Sequence, residues 1–78
     1  MRMSYDSKVD AAYIYLVDEI TPGVVTLTYP CDPSVVQGEI NLDFDAEGRL
    51  LGIEVLDASR KLPVTLLADH REHRRELQ

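Results

Sequence analysis

Between Glu39 and Val55 the chain alternates apolar and polar residues with a period of two, on either side of a short break. Ile40, Leu42 and Phe44 fall on one side of an extended strand; Glu39, Asn41, Asp43 and Asp45 fall on the other. The break is Asp45-Ala46-Glu47-Gly48, and Gly48 can take the positive φ that a hairpin turn needs. Alternation resumes over Arg49–Asp57, with Leu51, Ile53 and Val55 opposed to Leu50, Gly52, Glu54 and Leu56. A helix would scatter these residues around its circumference. A β-hairpin with one buried face gathers them.

The remaining segments extend this sheet. Arg2–Asp6 alternates, with Met3 and Tyr5 on one side, and Ser7-Lys8-Val9-Asp10 reads as a turn. Ala11–Val17 is rich in Tyr, Ile and Val and is apolar on both faces, as in a central strand. Pro22-Gly23 closes a loop, Val24–Tyr29 gives another strand, and Pro30 and Pro33 break the pattern. At Leu62-Pro63 the period changes and a helix begins, with Leu66, His70, His73 and Leu77 on one stripe. The expected architecture is α+β: an antiparallel β-meander of four to five strands over residues 1–62, then one C-terminal helix and charged tail over 63–78, in a single domain.

A chain of 78 residues buries only about 60% of the surface its unfolded form exposes. Cys31 is the only cysteine, so no intrachain disulfide can support it. Self-association is the expected support, with a homodimer favoured. The lone thiol fits a reducing cytoplasm, and no segment has the length of a signal peptide's apolar core or of a membrane span. Charge is uneven: residues 1–57 carry eleven acids against three bases, and residues 58–78 carry three acids against five bases. An acidic body argues against tracking a nucleic-acid backbone.

Three segments together carry a family resemblance: Tyr5-Asp6-Ser7-Lys8-Val9-Asp10-Ala11-Ala12-Tyr13-Ile14, then Asn41 through Glu54, then Val55-Leu56-Asp57-Ala58-Ser59. The pattern resembles the bacterial domain-of-unknown-function 2283 family, from residue 3 to about residue 62. The resemblance implies a small bacterial β-rich protein with no established activity, and it points to a toxin–antitoxin-like partner.

Several constellations bear on chemistry. Asp43, Asp45, Glu47, Gly48 and Glu54 have the spacing of an EF-hand calcium loop, yet that loop needs a flanking helix on each side, and period two prevails here. Asp43, Asp45 and Glu54, together with Asp6 and Asp10, form the alternative reading, a metal-binding protein or metal-dependent enzyme that uses acidic turn residues. Acids at turns also cap backbone amides, and that role suits Asp6 and Asp10. His70 and His73 share a helical face, but zinc would need a further ligand. Arg71, Arg74 and Arg75 offer the only route to a nucleic-acid-linked regulator. Ser59 reads as a cap, since no serine-hydrolase elbow surrounds it. Tyr13 and Tyr15, with Val17, form a stripe that either the C-terminal helix or a second subunit covers; Leu66 and Leu77 are the matching interface candidates on the helix. No catalytic set and no cofactor site emerges. The reading is a non-enzymatic, self-associating interaction module that also takes an unidentified protein partner.

Overall fold

Backbone pairing in the computed structural model, which describes residues 1–70, joins five strands into one antiparallel sheet. The elements in chain order are β1 (Arg2–Asp6), β2 (Ala11–Tyr15), β3 (Leu27–Pro30), α1 (Pro33–Val36), β4 (Ile40–Phe44), β5 (Leu50–Leu56), α2 (Ala58–Lys61) and α3 (Val64–His70). The α+β class, the five antiparallel strands and a helix near the C-terminus agree with the sequence expectation.

The spatial order is β1-β2-β5-β4-β3, so the strands do not simply follow one another across the sheet. A hairpin, β1-β2, and a three-stranded meander, β3-β4-β5, meet along β2 and β5. The physical reason lies in the strands themselves. β2 is a central strand whose backbone groups pair on both edges, with β1 on one side and β5 on the other. β5, at seven residues, is the longest strand. β3 has four residues and ends on Pro30, which has no N–H to give a further neighbour, so it stays at an edge. It begins later than the sequence pattern suggests, because Pro22-Gly23 turns the chain with Gly23 at φ 85° and Val24 N–H closes on Thr21 O.

The proline break at Pro30 and Pro33 leads into one helical turn, α1, which period-two patterning does not reveal. Asp32 caps α1 by accepting from Ser34 N–H and Ser34 Oγ, and Pro33 begins it. A second short helix, α2, precedes the expected C-terminal helix. Leu62 is extended (φ −110°) and Pro63 starts α3 anew. The expected continuation through His73 and Leu77 lies outside the described residues.

Register puts Met3, Ile14, Ile53, Leu42 and Tyr29 in one row and Tyr5, Ala12, Val55 and Ile40 in the next, all on one face. α2 and α3 rest on the β1-β2-β5 side of that face. Ala58 and Leu67 are buried there with Met3, Tyr5, Ala12 and Val55, and Leu62 and Leu66 pack around them. Each large apolar side chain buried in this cluster contributes about 1.5–3 kcal/mol. The helical cover therefore lies on the face opposite Tyr13 and Tyr15. As far as the described residues run, α3 lies on the face opposite the tyrosine stripe.

Candidate functional site

Among the described residues, the helices cover only part of the apolar face. Towards β3, Leu27 sits opposite Phe44 and Tyr29 opposite Leu42, and Leu27 and Tyr29 are each 55% exposed. Leu16, just past β2, is also exposed, although its N–H still bonds Leu51 O at 2.9 Å. One sheet face is thus a core at one side and an open apolar surface at the other.

The opposite face is polar and aromatic. One register row reads Arg2, Tyr15, Gly52, Asp43 and Thr28; the next reads Ser4, Tyr13, Glu54 and Asn41. The Arg2 guanidinium lies 3.6 Å from the centre of the Tyr15 ring, a cation–π stack. The Tyr15 and Tyr13 rings meet edge to face at 4.7 Å between centroids. Tyr13 leans across Gly52, where any Cβ would collide with its ring, so the glycine is what lets the tyrosine lie down. The Tyr13 hydroxyl then donates to Asp43 Oδ2 at 2.6 Å, and Thr28 Oγ1 donates to Asp43 Oδ1 at 2.6 Å. Desolvation first, and then the Asp43 bond, push the Tyr13 phenol well above its ordinary range, so it stays a donor. Asn41 Nδ2 donates to Glu54 Oε1 at 2.9 Å.

Two aspartates organise the turns. Asp45 Oδ1 accepts from Glu47 N–H at 2.9 Å and Arg49 N–H at 2.8 Å, while Gly48 takes φ 82°. Asp10, itself left-handed at φ 56°, reaches across the fold. Its Oδ1 accepts from Tyr5 Oη at 2.7 Å and Ser59 N–H at 2.9 Å, and its Oδ2 accepts from Ser59 Oγ at 2.7 Å. Its carbonyl accepts from Ala58 N–H at 2.9 Å. Asp57 precedes α2 in a left-handed conformation and makes no side-chain cap, so Asp10 serves as the cap of α2 from the other end of the chain. The Ser59 hydroxyl, followed by that of Tyr5, holds the Asp10 carboxyl below its ordinary range.

The three carboxylates of the alternative metal reading are separately engaged. Asp43 takes two hydroxyls, Asp45 takes turn amides and Glu54 takes Asn41. Both arms of the calcium-like spacing are strands, and among the described residues no three His, Cys, Asp or Glu side chains converge as a metal would require. Val17 is half-buried just past β2. Leu66 packs against the core and lines an apolar groove of about 260 Å³ with Met1, Met3 and Ile14. Cys31 is a half-buried free thiol whose N–H bonds Ile40 O at 2.8 Å. Arg71, His73, Arg74, Arg75 and Leu77 lie outside the described residues. No helix among the described residues is long and apolar enough to cross a membrane.

Asp10 and Ser59 were each legible as capping residues, but their pairing was not, because 49 positions separate them; Asp10 is the cap and Ser59 donates to it. The exposed Leu27 and Tyr29 were legible only as strand residues; their missing cover depends on where the helices rest. No curated protein and no solved structure matches the chain. The family model described as a protein of unknown function, DUF2283, matches residues 2–59, the span that runs from the first strand to Ser59 in α2, and the chain belongs to that family.

Proposed function

We propose that the chain is a non-enzymatic interaction module of the bacterial cytoplasm that pairs with a second copy of itself through the open half of its apolar face. The observation that carries this reading is the exposure of Leu27 and Tyr29 on the same face as the buried core. Apolar side chains in register with core residues gain by leaving water, and α2 and α3 do not reach them. Face-to-face packing is favoured over joining at the β3 edge, because Pro30 removes a donor there. A two-fold pairing would set each open patch against its counterpart. It would also enlarge a core whose buried apolar members number seven among the described residues.

Light scattering at increasing protein concentration tests this. The wild type is expected at twice the 8.8 kDa chain mass. Leu27→Asp is expected at the monomer mass with an unchanged far-ultraviolet spectrum, because Leu27 is already half out of the fold. A wild type that stays monomeric at high micromolar concentration, or a Leu27→Asp variant that stays dimeric, would overturn the reading.

A further inference from the structure

The face opposite the apolar one carries a cleft of its own. Near the β1-β2 turn a cleft of about 470 Å³ opens, lined by Ser4, Asp6, Val9, Ala11, Tyr13 and Glu54 among others. Its shape follows from side-chain size. Ser4 and Ala11 are short, while Tyr13 and Glu54 on one side and Val9 on the other are tall. Its chemistry follows from the same residues: on this face they bring the Tyr13 ring and two carboxylates, and no basic side chain is in the lining. Asp6 uses Oδ1 for Lys8 N–H and Glu54 uses Oε1 for Asn41, so each carboxylate is held in place through one oxygen.

A neighbouring contact within the chain offers a precedent. On the adjoining row its own Arg2 guanidinium stacks on Tyr15 at 3.6 Å, and the Tyr15 ring abuts Tyr13. The Tyr13 hydroxyl is committed to Asp43, which fixes the ring at the cleft wall. A second planar cation placed beside Tyr13 would meet the same kind of ring, with carboxylates on two sides. The chain around it carries eleven acids against three bases over residues 1–57, so a basic segment is drawn to this body electrostatically.

We propose that this Tyr13–Glu54–Asp6 cleft receives an arginine side chain of a basic protein segment. Apolar pairing uses the other face, so both copies of a dimer would present the cleft outwards.

The test is titration of the full chain with an arginine–glycine hexapeptide and with its citrulline analogue, which keeps the shape and loses the charge. The arginine peptide is expected to bind and to shift the backbone amide resonances of Ser4, Ala11 and Tyr13 most. Glu54→Gln keeps an acceptor for Asn41 and is expected to weaken binding by about fivefold. Glu47→Gln removes one acid at the hairpin tip, outside the cleft, and is expected to weaken it less than about twofold through general screening alone. Equal binding of the citrulline peptide, equal loss in Glu47→Gln and Glu54→Gln, or resonance shifts that avoid the cleft would each overturn the proposal. A monomeric wild type that still binds the arginine peptide would refute the pairing while leaving this site standing.

Discussion

Two turns of this small sheet each depend on an aspartate, and the two residues do different work. Asp45 bonds backbone amides two and four positions ahead, through Oδ1. Asp10 engages both oxygens, and two of its three side-chain bonds go to Ser59, 49 positions away. Asp45 shapes the hairpin it belongs to. Asp10 fastens the helical cover onto the sheet, because α2 lacks a cap of its own. The same residue type in the same setting is local punctuation in one place and a tertiary tether in the other. What separates them is how many acceptor positions the fold uses.

Replacing each carboxylate by its amide breaks or sharpens that contrast, and Asp10→Asn should give the largest effect. Asparagine tolerates the left-handed backbone at this position, so the change isolates the side chain. An amide supplies one acceptor oxygen where the carboxylate supplied two, and its NH2 would face a donor. Amide exchange over residues 58–67 is expected to accelerate on the order of tenfold, while β4 and β5 keep their protection. Uniform acceleration across the sheet would mean that the cover does not open separately.

The same tether has a pH signature. The Ser59 hydroxyl, and then the Tyr5 hydroxyl, lower the Asp10 carboxyl in the folded protein. A lowered folded value stabilises the protein above the unfolded carboxyl's pKa of about 3.9, and that stability is lost as the pH falls through the lower folded value. Acid unfolding below about pH 4 should therefore be shallower in Asp10→Asn than in the wild type, when followed by circular dichroism. Identical acid limbs would show that other carboxylates govern this range.

Gly48 tests the local turn without touching its aspartate. At φ 82°, with open space around its Cα, it is constrained by backbone conformation and not by packing. Gly48→Ala should cost about 1 kcal/mol in denaturant unfolding. Gly52 differs, because Tyr13 would collide with any side chain there.

Legibility in the sequence follows the same local and non-local division. The Glu39–Val55 hairpin could be read because periodicity and turn residues lie within one segment. The faces of β1 and β2 could be read too, since Met3, Tyr5, Ala12 and Ile14 keep strict alternation and meet in the core. The strand order could not. That β5 and not β3 lies against β2 depends on how two separately formed pieces bury a shared face. The side on which α3 rests was equally hidden, because Leu66 and Leu67 are compatible with either face. The tyrosine stripe was visible as a stripe. Its Asp43 partner, 30 positions away, was visible only as part of a misleading calcium-like spacing.

Asp45→Asn should give the smallest effect of the series. An asparagine carbonyl can accept from Glu47 N–H and Arg49 N–H as Oδ1 does now, and asparagine favours this kind of turn. The variant would lose only the Oδ2 contact with the Arg49 guanidinium, which is 3.9 Å long and largely solvent-exposed on the arginine side. Such pairs contribute little, so the loss should stay below about 0.5 kcal/mol in denaturant unfolding. A cost matching that of Asp10→Asn would mean that the negative charge at position 45, and not its acceptor geometry, holds the hairpin. The two turns would then be alike after all.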